Sequence, residues 1–254
     1  MEYTVLSPWG ATNTMDGCAL NPRVKDLDHA TIGLFAHFKQ HSPILLNEIG
    51  KELKRRFPGC TVKALQYTKS TAEIRNDPEF DKELKEWLED VDCVVSALGD
   101  AGSCTLFLAY NTAYIEKLGK PAVLIANSHY VETARHAVKI RNVPSLRIVS
   151  SNMQDLSMQP KLDQETIDRL IIPTVEPVMN PLIAALTEEL TDEEKNYEAV
   201  TDPYADAKYT GTISQLNKLF YRNGWTNGLP IVPPTKEAVD EMMKGTDLPA
   251  DYVV

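Results

Sequence analysis

Residues 91–126, VDCVVSALGDAGSCTLFLAYNTAYIEKLGKPAVLIA, put a cysteine where a thiol has chemical use. An apolar run from Val91 to Leu98 meets the tight turn Gly99-Asp100-Ala101-Gly102-Ser103. A helical pattern then opens at Cys104 and closes at Gly119, before a second apolar run. The spacing predicts strand, turn, helix and strand, with Cys104 in the first turn of the helix. Unpaired amides and the peptide dipole at a helix N-terminus favour negative charge. A thiol there is drawn toward thiolate, with a pKa that falls from about 8.5 toward ~7 or below. Cys104 is therefore a candidate nucleophile, and the glycines allow a sharp turn and close approach of a ligand to the amides. The competing reading is a small residue filling a strand–helix junction.

A second reactive group follows the run TIGLFAH (31–37), in His37-Phe38-Lys39-Gln40-His41. Lys39 can hold an anionic substrate or favour a thiolate, and His37 or His41 can move protons near neutral pH. Each histidine has a plainer reading as a polar loop residue. Whether the two groups meet depends on the fold.

TIGLFAH reads as a buried strand, and HSPILLNEIGKELKRRFP follows with Ile44, Leu45, Ile49 and Leu53 at helical spacing behind Ser42-Pro43. CTVKALQY (60–67) alternates like a strand near a sheet edge. A charged helix from Asp77 to Glu89 turns Phe80, Leu84, Trp87 and Leu88 inward. The cysteine-bearing unit comes next, then a helix over 129–141 and a fifth strand, LRIVS (146–150). Residues 163–190 are helical with interruptions at Pro173, Pro177 and Pro181.

Five apolar strands alternating with helices predict an α/β fold, a doubly wound and mainly parallel five-stranded sheet of flavodoxin-like or Rossmann-like type. In the flavodoxin-like order, second-first-third-fourth-fifth, the loops after the first and third strands flank the switch point where ligands bind. That order brings Lys39, His37 and His41 to the Asp100–Cys104 turn. Around this domain (31–186) the sequence places an irregular leader (1–30), an acidic linker (187–211) and a C-terminal arm (212–254). The arm is expected to dock on another chain, because Trp225, Leu229, Ile231 and Val232 are too apolar to stand in water.

The chain has 254 residues with 43% hydrophobic content, enough for a sizeable core. A net charge of −10 argues against a nucleic-acid partner, since phosphate binding needs clustered Lys and Arg. No uninterrupted apolar run reaches the ~18–20 residues that span a bilayer, so no membrane partner is expected. The four cysteines, at 18, 60, 93 and 104, share no metal-ligand spacing, and no secretory signal precedes them. Reduced thiols in a cytoplasmic protein are expected. His, Asp and Cys are too scattered to specify a metal, and the sequence names no cofactor.

GDAGSCT (99–105), its helix, and EKLGKPAVLI (116–125) resemble the UGSC-motif family, whose pattern reads Gly-Asp-(selenocysteine or Cys)-Gly-Ser-Cys-Thr before such a helix. The loop around Lys39 stands where the family has Gly-Lys-Pro-Asn. GWTNGLPIVPPTKEAVDEMMKGT (224–246) is similar to the family's Gly-Trp-Thr-Asp-Gly-Leu-Pro-Val-Val-Pro-Pro-Thr signature. The resemblance implies that a further large domain, which follows this signature in longer relatives, is here a separate polypeptide clasped by residues 207–254. It also implies thiol redox chemistry, akin to that of selenoprotein reductase subunits. This chain departs at Ala101, where the first sulfur or selenium would stand. A disulfide cycle needs a second sulfur, which Cys18 could supply if the leader covers the site.

Three functions follow. The first is a subunit of a heteromeric enzyme using Cys104 for non-redox addition–elimination or proton transfer on a small polar, carboxylate-bearing substrate, as a lyase or hydratase does. Cys104, Lys39, His41 and Asp100 would be catalytic. Gly102, Ser103, Thr105 and His37 would bind substrate, with the amides of 102–105 stabilising an oxyanion. The second is a thiol-dependent oxidoreductase subunit. The third is a non-catalytic scaffold.

Overall fold

The computed structural model describes residues 2–6, 18–69, 72–154, 156, 159, 162–196, 208–226, 228–232 and 236–248. They form two units, residues 15–200 and a smaller one that joins residues 1–14 to 201–254.

The larger unit holds five parallel strands: β2 (Thr31–Ala36), β3 (Thr61–Gln66), β4 (Cys93–Gly99), β5 (Ala122–Asn127) and β6 (Arg147–Ser151). Their order is β3-β2-β4-β5-β6, the flavodoxin-like order. β4 and β5 are buried along their whole length, which explains their unbroken apolar runs. The edge strand β3 is part-exposed and alternates. Ile32 pairs with Cys93, Val94 with Ala122 and Val123 with Arg147, and the β4–β5 register shifts between Ser96 and Gly99.

Helices cover both faces. On one face α1 (His41–Arg56) and α6 (Ile172–Thr187) bury Leu45, Leu46, Ile49, Val178, Met179 and Leu182 against Leu34, Val95 and Val123. On the other, α2 (Pro78–Glu89), α3 (Gly102–Lys117) and α4 (Val131–Ile140) bury Leu84, Leu88, Leu108, Ala113 and Val138 against Phe35, Val94 and Leu124. This is the arrangement that right-handed crossovers dictate for that strand order.

Two expectations are corrected in this unit. The prolines do not interrupt the 163–190 stretch. α5 (Gln164–Thr166) passes through a π turn at Ile167–Ile171 into α6, which runs through Pro177 and Pro181. Both prolines lie on the exposed side. There the carbonyls they leave unbonded face water, while Val175, Val178, Met179, Leu182 and Leu186 pack inward. The whole stretch Gln164–Thr187 is long and apolar enough to cross a bilayer by length and composition alone. It packs as a core helix, with Glu176 and Asn180 on its outer side bonded to Arg56 at 2.7 Å each.

The start of the acidic linker is not a solvated tether. α7 (Asp192–Lys195) opens with a Thr191–Glu194 capping box, and Glu194 takes both ends of the Arg147 guanidinium at 2.8 and 2.9 Å. The rest of the linker up to residue 207 lies outside the described residues.

In the smaller unit the leader contributes structure. β1 (Tyr3–Leu6) pairs antiparallel with β7 (Lys208–Gly211). α8 (Ile213–Arg222) lays Leu216 and Phe220 on Val5, and Trp225 meets the rings of Phe220 and Tyr209 at 5.2 and 5.5 Å. α9 (Lys236–Met243) follows. Trp225 and Ile231 therefore pack within their own unit, whereas Leu229 and Val232 remain 69% and 83% exposed.

Candidate functional site

The parallel sheet sends the loops after β2 and β4 out from its carboxyl edge, side by side, because these strands are neighbours on either side of the order reversal. Ser42 ties the first loop down. Its Oγ accepts the His37 backbone N–H at 2.9 Å and donates to the Ala97 carbonyl of β4. The His37 N–H also reaches that carbonyl at 3.0 Å.

Asp100 is the meeting point. One carboxylate oxygen lies 2.8 Å from Lys39 Nζ and the other 2.6 Å from His41 Nε2. All three side chains are at most 8% exposed. Asp100 also sits between two helix starts, since α1 begins at His41 and α3 at Gly102. Two helix N-termini and an ammonium thus stand around one carboxylate, and helix N-termini favour negative charge.

His37 completes the group. It is 2% exposed, and its ring lies 4.3 Å from that of Phe38. Burial pushes its pKa down to about 4; the Asp100 charge opposes this, and Lys39 and His41 add to it. At neutral pH the ring is uncharged, and its Nδ1 has no hydrogen-bond partner among the described residues.

α3 starts at Gly102 behind an extended Ala101, with no side-chain cap. Gly102 and Ser103 are exposed and Cys104 is 7% exposed. The two glycines here differ. A Cβ on Gly99 would stand 2.9 Å from Thr105 Cγ2, so Gly99 is required by packing. A Cβ on Gly102 would meet nothing within 4 Å. Packing does not demand glycine there, and the space above it is open.

Lys39, His41 and Asp100 therefore stand in direct contact, with His37 beside them. Gly102 and Ser103 border the same edge. Thr105 does not: its side chain is fully buried against Gly99, and its amide is bonded to the Ala101 carbonyl at 2.8 Å. Its amide is therefore already engaged, while its Oγ1 is buried with no hydrogen-bond partner among the described residues.

Cys18 is likewise placed elsewhere. Its thiol feels Glu116 and Lys117 at the far end of α3, and its N–H bonds to the Asn142 carbonyl. Twelve residues of helix separate that end from Cys104, about 18 Å, whereas a disulfide needs Cα atoms within ~7 Å. Cys93 opens β4 and Cys60 precedes β3, both at the amino edge. None of the chain's four cysteines is in a disulfide.

Two cavities flank Asp100. One of about 240 Å³ is lined by Phe38, Lys39, Gln40, His41 and Leu156. The other, about 430 Å³, is lined by Asp100, Asn127, His129, Tyr130 and Asn152 among others. Sequence reasoning missed this second group. The readable signal was Asn127, an N-cap residue type at the end of the apolar run before a helix. Among the described residues no three His, Cys, Asp or Glu side chains converge to hold a metal ion.

The fold and crevice define a doubly wound α/β protein with Lys39, His41 and Asp100 gathered at the switch point and a cysteine on the first turn of its central helix. The UGSC family model matches residues 4–194, and the chain belongs to the UGSC family. Among curated proteins nothing matches it.

Proposed function

We propose that the chain is an enzyme subunit in which Cys104 acts without net redox change on a small, carboxylate-bearing substrate, by addition–elimination or proton transfer of the lyase or hydratase kind. The observation that carries this reading is the placement of Asp100 between Lys39 and His41 at two helix N-termini. Taken alone, the Asp100 charge would oppose a thiolate at Cys104. With Lys39 and His41 on its two oxygens, that opposition is cancelled and the helix dipole acts on the thiol. The substrate carboxylate is held by Lys39 and the N-terminus of α3. Charge developing on a substrate oxygen faces the amides of 102–104, and His41 relays protons while Asp100 orients it.

Thiol-selective alkylation tests the reading without knowledge of the substrate. Iodoacetate carries a carboxylate and iodoacetamide does not. Cys104 is expected to react with iodoacetate at least as fast as with iodoacetamide, whereas Cys18, beside Glu116, should favour the neutral reagent. A Cys104 that discriminates against iodoacetate as Cys18 does overturns the carboxylate reading of the crevice.

A dithiol cycle within one chain has no second sulfur in reach, so the reductase alternative needs a thiol from a partner. A partner is itself supported by the smaller unit, where Leu229, Val232 and Met242 are 69–83% exposed. We infer a cytoplasmic hetero-oligomer with a larger subunit. Because β1 belongs to this unit, both chain ends must be removed to test its part in assembly. In the assembled complex, Cys104→Ser should abolish turnover. Unchanged turnover would leave the chain a scaffold.

A further inference from the structure

The loop after β5 carries a histidine that this reading does not use. His129 is exposed and lines the 430 Å³ cavity together with Asp100, Asn127, Tyr130 and Asn152. Asn127 fixes its state. The Asn127 Nδ2 donates to the Met153 carbonyl, and its Oδ1 accepts the His129 backbone N–H at 2.9 Å. A carbonyl only accepts and a backbone N–H only donates, so these two groups determine which end of the amide is oxygen.

That same Oδ1 lies 3.0 Å from His129 Nδ1. An amide oxygen cannot donate, so Nδ1 carries the proton. In the neutral ring Nε2 then keeps its lone pair and can accept a hydrogen bond. Among the described residues that line the cavity Asp100 is the one carboxylate, and its two oxygens lie 2.8 and 2.6 Å from Lys39 Nζ and His41 Nε2. Among the described lining residues there is no further anion to offer an ammonium group. The cavity has an acceptor nitrogen and uncharged amide and hydroxyl groups, which suit a neutral donor.

We propose that His129 Nε2 receives the hydroxyl of a hydroxycarboxylate, and that this cavity is the subsite for the hydroxylated half of the substrate. The proposal rests on the carboxylate reading of the crevice. Asn127 is a positioning residue that sets the tautomer.

Ring-nitrogen NMR of the ¹⁵N-labelled full chain at alkaline pH, with His129 assigned by His129→Gln, should show a protonated Nδ1 and a bare Nε2. In Asn127→Ala the proton should be shared between the two nitrogens. Two probe pairs that differ by one hydroxyl, malate with succinate and lactate with propionate, then test the subsite. The hydroxy acids should bind roughly 10-fold tighter and move the Nε2 resonance. His129→Ala should remove that preference while leaving succinate affinity within about 2-fold. A bare Nδ1, or equal affinity within each pair, overturns the subsite and leaves the carboxylate reading standing. Failure of all four acids to bind overturns the carboxylate reading and the subsite with it.

Discussion

At the amino edge of the sheet, Glu116 is buried with Arg23 Nη2 at 2.7 Å and the amides of Asn21 and Ala122 at 2.7 and 2.6 Å. The carboxylate is saturated on both oxygens by groups that have nowhere else to go. At the carboxyl edge, Asp100 is buried to the same degree and paired as closely with Lys39 and His41. Around Asp100, however, stand an unpartnered imidazole nitrogen of His37, exposed Gly102 and Ser103, and two cavities. Burial and charge are common to both edges. Among the described residues each cluster keeps one unpartnered buried nitrogen, Arg23 Nε in the first and His37 Nδ1 in the second, and what separates them is the open space that borders Asp100, Lys39 and His41. The first locks the leader segment onto α3. The second leaves space beside its charges.

The comparison breaks most visibly on losing either carboxylate. Glu116→Ala takes from the buried Arg23 its carboxylate, and Asp100→Ala takes from Lys39 and His41 the buried carboxylate that joins them. Each should cost about 3–5 kcal/mol, readable as a loss of urea resistance. The two should part company at the thiol. In the milder variants Glu116→Gln and Asp100→Asn, the Cys104 preference for iodoacetate should survive the first and disappear in the second. Equal effects on Cys104 would mean that the edges are not functionally distinct.

Acid should undo the two edges in different windows. The His37 pKa, about 4 in the folded chain, lies below the ordinary 6.5 because burial disfavours the charged ring. Between those values the unfolded chain binds more protons, so stability rises with pH and is lost as pH falls from 6.5 through 4. Full expression amounts to ~3 kcal/mol, and His37→Gln should flatten the stability curve over that range. At the amino edge the hydrogen-bonded Arg147 pushes Glu194 down to about 2 from 4.5. Its contribution is present above 4.5 and lost as pH falls through 2. Arg147→Ala should therefore alter only the more acid limb, by ~1–2 kcal/mol. A His37→Gln curve that keeps the upper limb would show that another group titrates there.

What could be read in the sequence follows the reach of the interactions. Strands β4 and β5 were visible because burial on both faces writes a continuous apolar run. Chirality narrowed the strand order to a flavodoxin-like or Rossmann-like one, and the flavodoxin-like order found in the structure brings Lys39 and His41 to Asp100. The saturation of Glu116 by Arg23, 93 residues away, leaves no local pattern. The pairing of Tyr3 with Gly211 leaves none either. Pro177 and Pro181 misled because their tolerance depends on which side of α6 meets water. Thr105 stands next to Cys104 in the motif yet is buried against Gly99, since helix geometry turns successive residues to different sides. His129 was invisible as a functional residue until Asn127 and Met153 were placed around it.

The smallest expected effects come from the two glycines, and they separate fold from function within four residues. Gly99→Ala drives a methyl group to 2.9 Å from Thr105 Cγ2 in a region where Thr105 cannot move outward. About 1–3 kcal/mol of stability should be lost. Gly102→Ala meets no atom within 4 Å and occupies the first helical position, so stability should hold or rise by ~0.5 kcal/mol. The same methyl group would stand in the open space at the start of α3. Iodoacetate alkylation of Cys104 should therefore slow several-fold in Gly102→Ala, while iodoacetamide slows less. An unchanged iodoacetate rate would mean that the anion does not approach over Gly102, and that Lys39 alone draws it to the thiol.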